Sequence, residues 1–504
     1  MVRGKSIFGT VLALLFLMAA GAVSAQEKPK KPTLTLDELI VMALKFSPEI
    51  KASQDEVELA KQQRAEARGY FYPRIETTSI FSVVPNAREP YVIREGGASH
   101  IFFPDPKNRI HGVNVFGRLD AIITQPIYTF GKIAYRERAA KHYVNVKREG
   151  VEAERGEVMM KVAEAYYGNI LADQGKDAVK DARTYLDDAR HRIDRLLQID
   201  SPNVKESDRY RVAVYEGSLE GFAAQAEQGA KVSYLALKNL TGYPPDQDFQ
   251  LPPELPAPEP PKGDLQYYIQ KAFELRPEMK QLEEGLVARQ LLVDAAKAER
   301  YPSFFFAVYG VLAGAPGRAT VKGPLRDPAL SDFYNERGAL PLLGMKWNWD
   351  FGITTAKIKQ AQAELSQLKH KEKTALMGIP IQVAEAYGKV VEHYEAAKGN
   401  EKAYINARRW VVTSFSNFDM GLGTMDEVFR SIREYGETRG NYLASLYNYN
   451  LAVVKLDKVS GAYRTKLASL EEQKDKAQKE KEKQEIKEKA KPSDRNEGKA
   501  QEKK

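Results

Sequence analysis

Cysteine is absent from the chain, which excludes disulfide bonds, thiol nucleophiles, thiolate metal sites and a lipid on a processed N-terminal cysteine. Histidine is scarce, and its few positions have no metal-ligand spacing. A glycine-rich phosphate loop is also missing. The sequence therefore predicts no catalytic residue, no cofactor, no bound metal and no enzyme. The histidines are His100, His111, His142, His191, His370 and His393.

An excess of one charge is also lacking. The chain has 76 basic and 68 acidic residues, which leaves a formal net charge of +8. The two signs are interleaved, and no basic block stands alone, as it would in a protein that binds nucleic acid. A solvated surface of mixed charge is the better explanation, and no nucleic-acid partner is expected.

Long hydrophobic runs are missing after the N-terminus, where roughly 18 apolar residues would be needed for a spanning helix. The first residues carry two basic side chains, the apolar run Ile7–Val23 and then Ser24-Ala25, a pattern typical of a secretory signal peptide over residues 1–25. An uncleaved anchor is the alternative, but the run is short for one. The chain is therefore predicted to be exported, and any later membrane crossing must use β-strands.

The chain contains two similar halves. Five segments recur in the same order and at nearly constant spacing, which indicates an internal duplication. The predicted repeats are residues 26–242 and 264–464, joined by the proline-rich segment 243–263, which favours an extended path. The matching segments are Ala43–Lys51 with Ala272–Lys280, Tyr72-Pro73 with Tyr301-Pro302, Phe130-Gly131 with Phe351-Gly352, Val162–Tyr166 with Val383–Tyr387, and Leu240–Gly242 with Val459–Gly461.

Each repeat is predicted to contain one very long helix and two helices of half its length. A helix of about 69 residues would reach on the order of 100 Å, far beyond the diameter of an ordinary domain. Two short helices placed end to end match the long one, so a two-layer antiparallel helical wall is expected. The predicted helices are 37–68, with a break near Pro48, 131–199 and 205–240, then 264–300, 352–420 and 425–461.

Between the first and second helix of each repeat, the apolar period changes from 3.6 to 2, which predicts β-hairpins at about 74–124 and 303–351. In Leu343–Phe351 the apolar side chains alternate with polar ones, and Val113–Thr124 behaves alike. Ile75–Val84 and Phe304–Val311 are the expected partner strands. Trp347 and Trp349 are expected in or near an aromatic belt that contacts outer-membrane lipid.

Four strands cannot close a barrel, and an open strand edge is not tolerated in hydrocarbon. Two chains would give eight strands, whose interior side chains fill, whereas three give twelve and leave a lumen. A homotrimer is therefore the smallest assembly expected to conduct.

Three motifs carry a resemblance to a known family. Gln125–Lys132 is similar to a strand-to-helix signature, Leu36–Pro48 to a first helix with a late Ser-Pro, and Met420–Glu427 to a glycine-containing hairpin tip. Together, over about 33–463, the chain resembles the TolC-like outer-membrane efflux proteins. The second repeat departs from the family at Met345-Lys346-Trp347, where the glutamine and proline are missing.

The resemblance implies a fold that is mainly α. A duplicated helical hairpin forms an α-helical barrel, and four strands per chain enter a shared trimeric twelve-stranded β-barrel in the outer membrane. It implies a passive exit duct with a long periplasmic extension, serving an efflux or type I secretion system. Its tips would dock on a periplasmic adaptor below which stands an inner-membrane pump. The expected docking residues are Ser201, Pro202, Asn203 and Val204 in one tip, which lacks glycine, and Gly421, Leu422, Gly423, Thr424 and Met425 in the other.

The resemblance also implies a gate near these tips, held by acidic, tyrosine and arginine side chains. A threefold ring of carboxylates repels itself and attracts cations, so it would act as a gate and as a weak selectivity filter. The alternative is that these residues are solvated turn residues or helix caps. The candidates are Asp200, Asp208, Tyr210, Arg211, Asp419 and Asp426.

A periplasmic coiled-coil adaptor or scaffold without its own pore is the rival interpretation. An adaptor would have one helical hairpin flanked by small β-domains, whereas this chain has two copies and alternating strands. Residues 465–504 are predicted to be a charged tail, because lysine and glutamate alternate there from Glu471 onward with almost no apolar residue to bury.

Overall fold

The computed structural model describes residues 31–86, 91–95, 98–102, 112–318, 333–473, 476 and 479. The predicted signal peptide and most of the charged tail lie outside these residues. Among the helices of the described part of the chain, none is both long enough and apolar enough to cross a membrane.

The first repeat contains α1 (Leu36–Phe46), α2 (Pro48–Gly69), α3 (Lys132–Leu197) and α4 (Glu206–Thr241). Thr35 begins α1 with a capping box, in which its hydroxyl and the Glu38 carboxylate each accept a backbone N–H of the other residue. Ser47 ends α1 and caps α2, and Pro48 occupies the first turn of α2. The predicted break near Pro48 is confirmed.

The second repeat contains α5 (Leu265–Leu275), α6 (Pro277–Ala298), α7 (Ile353–Asp419) and α8 (Met425–Val459). Pro277 opens α6 as Pro48 opens α2. The long helices α3 and α7 have 66 and 67 residues, so each is about 100 Å long. The predicted helices are present with ends that shift by a few residues, except that the helix predicted at 264–300 is interrupted at Arg276, whose backbone is extended before Pro277.

The strands form two sheets. In chain order they are β1 (Arg74–Pro85), β2 (Tyr91–Glu95), β3 (Ala98–Phe102), β4 (Val113–Tyr128), β5 (Ser303–Gly314) and β6 (Arg337–Lys346). β1, β4, β5 and β6 form one antiparallel sheet in the order β1-β4-β5-β6, whose central pair joins the two repeats. The small hairpin of β2 and β3 was not among the predicted strands.

The strand predicted to reach Phe351 ends earlier, at Lys346. Lys346 pairs with Ser303, the first residue of β5, and the preceding Pro302 has no N–H to continue the ladder. Trp347 instead donates its indole N–H to the Arg300 carbonyl at 3.1 Å. The prediction for residues 347–351 was therefore wrong, because the partner strand starts too late to pair with them.

The helices form a wall that can be divided along its length into a half near the hairpin tips and a half near the sheet. The long helices α3 and α7 run through both of these halves. In the half that ends at the hairpin tips, contacts join α4 to α3, α3 to α8, and α8 to α7. In the half nearer the sheet, they join α2 to α3, α3 to α6, and α6 to α7. The wall therefore has α4 and α2 at one edge and α7 at the other.

Two segments fasten the repeats where the halves of the wall meet. Residues 243–263 contain no helix, as predicted, and the backbone of Gln250 bonds to Pro32 and Leu34 beside the first helix. Residues 463–473 are helical, so the packed chain extends past the predicted boundary at residue 464. There Tyr463 is buried and donates its hydroxyl to the Glu152 carbonyl of α3 at 2.7 Å.

Candidate functional site

The tip between α3 and α4 turns without glycine. Asp200 takes a left-handed backbone conformation, with φ of 50°, and the N–H of Ser201 bonds to the Leu196 carbonyl at 3.0 Å. Pro202 and Asn203 are exposed, whereas Val204 is buried in the apolar core of the tip. The four residues predicted for docking therefore divide into an exposed turn and an anchor.

The tip between α7 and α8 uses glycine instead. Gly421 has φ of 75°, a conformation that suits glycine, and Leu422 projects with 80% of its surface exposed. The Thr424 hydroxyl accepts the Glu427 N–H at 3.3 Å and so caps α8, while Met425 is buried. Leu422 and, to a lesser extent, Met420 are the apolar side chains that this tip presents to solvent.

Ion pairs near the tips join the two repeats. Arg192 of α3 holds Asp419 of α7 through two hydrogen bonds of 2.9 and 3.2 Å. Arg211 of α4 bonds to Asp426 of α8 at 2.9 Å, and this bond lowers the pKa of the Asp426 carboxyl. The structure thus brings Arg211, Asp419 and Asp426 into links between helices of different repeats.

The other predicted gate residues lie differently. Asp208 accepts the Lys205 N–H at 2.9 Å and caps α4, and its carboxylate is also 3.9 Å from Arg211. It therefore has the helix-capping role that was the alternative prediction. Asp200 and Tyr210 lie on the exposed surface of the tip region.

Both arginines of these ion pairs also lie over aromatic rings. The Arg192 guanidinium is 4.6 Å from the centre of the Phe415 ring, and that of Arg211 is 4.8 Å from the Phe429 ring. Arg192 was not among the predicted residues. No local sequence pattern marks Arg192, because its contact forms only in the folded chain, where a residue near the end of α3 meets the end of α7.

A third link lies farther from the tips and was missed by sequence reasoning. Arg439 of α8 donates hydrogen bonds to the Asp181 carboxylate of α3 and to the Tyr435 hydroxyl, the second at 2.7 Å. The Tyr435 hydroxyl is 3.5 Å from the same carboxylate. The spacing of Tyr435 and Arg439, one turn apart on a helix, was the available signal.

Aromatic rings surround this link. Tyr185 contacts the Tyr435 ring edge-on at 5.2 Å, and Tyr404 lies 5.8 Å from it. Burial raises the pKa of Tyr435 to about 12, so its hydroxyl keeps its proton at physiological pH. The link therefore joins α3 to α8 through a charged pair that is partly shielded from water.

The four-stranded sheet has two unlike faces. One face, defined by strand register, carries most of the exposed large apolar side chains of the sheet, and we call this the apolar face. The opposite, polar face carries Glu76, Asn114, Arg118, Asp120 and Tyr309. The apolar face consists of Ile75, Phe81, Val83, Val113, Val115, Leu119, Ile123, Phe304, Phe306, Leu312, Leu343 and Met345.

Exposed aromatic residues mark the end of the sheet next to the helices. The Trp347 and Trp349 rings are 4.4 Å apart, and both side chains are exposed. Tyr72 and Tyr301, which precede β1 and β5, are exposed at the same end. Within the described residues, no group of three or more histidine, aspartate or glutamate side chains has a geometry that suits a metal ion.

No family model matches the sequence, and no curated protein matches it. Solved structures do match. The Campylobacter jejuni CmeC outer membrane channel has a TM-score of 0.66 and 16% identity, over 88% of this chain and 90% of that chain. The chain therefore has the TolC-like outer-membrane channel fold. The open state of the Neisseria gonorrhoeae MtrE outer membrane channel has a TM-score of 0.66 and 15% identity, over 84% of this chain and 88% of that chain.

The Vibrio cholerae outer membrane protein VceC gives a TM-score of 0.66 and 14% identity, over 84% of this chain and 96% of that chain. The fold that the sequence motifs implied is thus confirmed. In the TolC-like fold, the strand-to-helix signature Gln125–Lys132 lies at the junction of β4 and α3. There Lys132 donates to the Tyr301 carbonyl at 2.7 Å and ties the repeats together.

Proposed function

We propose that this chain is the subunit of an outer-membrane channel, a passive exit duct with a long periplasmic extension. The observation that carries the proposal is the exposed apolar face of the sheet. An exposed apolar surface of this size is rare on a soluble monomer and marks a membrane or protein contact. In the wall of a membrane barrel, the apolar face of the sheet would contact hydrocarbon and the polar face would contact water. The exposed Trp347 and Trp349 fit the aromatic belt of such a barrel at the lipid interface.

A trimer follows from the edges of the sheet. Within the described residues, β1 and β6 each pair on one side only, which leaves two edges with unmet backbone groups. Joining β6 of one copy to β1 of the next satisfies both edges. Three copies give twelve strands around a lumen.

The helical wall supports the same assembly. Its edge helices α4 and α7 expose apolar side chains that a neighbouring copy would cover. Since these helices lie at opposite edges, α4 of one copy meets α7 of the next. The exposed residues are Tyr210, Val214, Phe222, Val232 and Leu235 on α4, and Met377, Ile381, Val391, Ile405 and Val412 on α7.

We assign the links between the repeats to a gate at the hairpin tips. Arg192–Asp419, Arg211–Asp426 and Asp181–Arg439 each bind a first-repeat helix to a second-repeat helix. While they hold, the two hairpins stay together, and loss of the links would free one to move. The exposed turns, including Pro202 and Leu422, are the surfaces we propose for docking on a periplasmic adaptor, which would connect the duct to an inner-membrane pump of the efflux or type I secretion kind.

The test is recovery of the chain from outer-membrane fractions as a heat-resistant trimer that conducts ions in planar bilayers. Thr77 and Thr78 are adjacent in β1 but lie on opposite faces. Thr77→Lys would put a charge in lipid, at a cost of about 2–4 kcal/mol near the midplane, and should reduce insertion strongly. Thr78→Lys is the matched control and should insert normally. A soluble periplasmic monomer, or equal insertion of both variants, would contradict the proposal.

A further inference from the structure

The end of the sheet far from the helices is covered on one face only. On the polar face, Val84, Phe116 and Ala313 are buried, and Phe116 is only 2% exposed. On the apolar face at the same level, Val83 and Val115 are 64% and 63% exposed. Some part of the chain must therefore lie over the polar face at this end.

The covering segment is residues 333–336, which lead into β6. The rings of Phe333 and Tyr334 lie 5.7 and 5.2 Å from the Phe116 ring. The Ala315 N–H donates to the side-chain oxygen of Asn335 at 3.0 Å. The segment thus folds inward over the polar face and does not extend beyond the end of the sheet.

Arg118 of β4 holds the segment in place. Its guanidinium donates two bonds of 2.8 Å to Asp120, one of 3.0 Å to Glu336, one of 3.1 Å to the Phe333 carbonyl and one of 3.1 Å to the Tyr309 hydroxyl. All five N–H groups of the arginine are therefore used. The side chain is only 9% exposed, and its guanidinium carbon lies 4.7 Å from the centre of the Phe333 ring.

We propose that this Arg118-centred cluster is a second constriction, at the outer end of the duct and separate from the gate at the tips. The inference rests on the proposed function, because it requires the polar face to line a lumen shared by three copies. Three inward segments at one level narrow that lumen. The cluster then sets the largest solute that enters the duct from outside, and releasing Arg118 widens the opening.

The absence of cysteine allows a direct test, because one introduced thiol is unique. Thr78 lies on the polar face, two residues or about 7 Å beyond Arg118 toward the helices. In cells expressing Thr78→Cys, a small membrane-impermeant maleimide added outside should react, and a polymer-linked maleimide should react about tenfold more slowly or worse. Adding Arg118→Gln should remove most of that difference. Thr77→Cys, on the apolar face, should react with neither reagent.

A second variant tests the same constriction in case Arg118→Gln does not fold. Phe333→Ala removes the ring that covers Arg118 but leaves the bonds to Asp120 and Tyr309, so it should also admit the large reagent while the trimer stays heat-resistant. Arg74→Gln is the control for lost charge, since Arg74 lies on the same face near the helix end of β1 and away from the cluster. It should leave the exclusion of the large reagent unchanged.

The outcomes separate the two proposals. If both reagents label Thr78→Cys equally in the otherwise unchanged chain, or if exclusion persists in both Arg118→Gln and Phe333→Ala, the constriction is wrong and the duct stands. If Thr77→Cys reacts as readily as Thr78→Cys, the apolar face is not in lipid. The duct itself is then wrong.

Discussion

The two repeats build the same helical hairpin but place different charges at equivalent positions. The repeat offsets match Asp181 of α3 to Lys402 of α7, and Arg439 of α8 to Glu220 of α4. Within the chain, Asp181 and Arg439 meet where α3 packs on α8. The equivalent contact, α7 on α4, is the one expected between neighbouring copies, so the same joint would appear there with its charges reversed.

This comparison shows how one duplicated unit makes two kinds of joint. The joint inside the chain holds Tyr435 beside Arg439, with aromatic rings around both. The expected joint between copies has Glu216 at the position equivalent to Tyr435, and both Lys402 and Glu220 are exposed in the single chain. The inner joint is therefore expected to be the stronger of the two.

The largest expected effect is on the joint inside the chain. Arg439→Met removes hydrogen bonds made by a charged group, which contribute about 2 kcal/mol in a partly shielded site. That loss changes the closed-to-open ratio of the gate by a factor of about 30. Planar-bilayer recordings should show a clear rise in open probability. Arg433→Met is the control, because Arg433 lies on the same helix with an exposed side chain.

An intermediate effect is expected at the tips, where the repeats turn differently. Asp200→Gly should stabilise the first tip by about 1 kcal/mol, because glycine adopts a positive φ without strain. Gly421→Ala should destabilise the second tip by a similar amount, although its side chain would meet no neighbouring atom. Local hydrogen exchange at the two tips should therefore change in opposite directions. Changes of the same sign would show that φ does not distinguish the tips.

A smaller effect is expected at the joint between copies. An exposed ion pair contributes only about 0.2–1 kcal/mol, but a trimer would contain three such pairs. Lys402→Glu and Glu220→Lys should each lower the temperature at which the heat-resistant trimer dissociates. The double reversal should restore it, and failure of that rescue would show that the two residues do not meet.

The sequence predicted the parts of the fold that follow local periodicity. The ends of α3 and α7 lie within a few residues of the prediction, because a 3.6-residue period and a glycine before each helix define them. Contacts between distant segments were not predictable in this way. Asp181 meets Arg439 across more than half of the chain, and Arg118 meets Glu336 in the other repeat. Such pairs depend on how the two repeats are packed, which no local pattern records.

The candidate site shows the same division. Arg211, Asp419 and Asp426 were predicted because the family resemblance implies acidic and arginine side chains near the tips, and the tips themselves can be read from glycine, proline and helix caps. Arg192 stands inside α3, where its pattern is that of any solvated helix surface. The strand predicted through Trp347 and Trp349 failed for a related reason. A strand needs a partner, and the start of β5 at Ser303 decides where β6 can end.

The smallest expected effect on open probability is that of pH in the neutral range. The response to acid distinguishes the ion pairs near the tips from the joint inside the chain at Arg439. The hydrogen bond from Arg211 lowers the pKa of Asp426 below its usual value of 3.8. A carboxyl with a lowered pKa contributes stability at all pH values above 3.8 and loses it only as the pH falls through the lowered value. Open probability should therefore be unchanged between pH 7 and pH 5 and should rise only below about pH 4.

Asp426→Asn should reduce this acid response and leave the effect of Arg439→Met intact. If the channel instead opened between pH 7 and pH 5, a group other than Asp426 would control the tips, because this carboxylate remains ionised throughout that range.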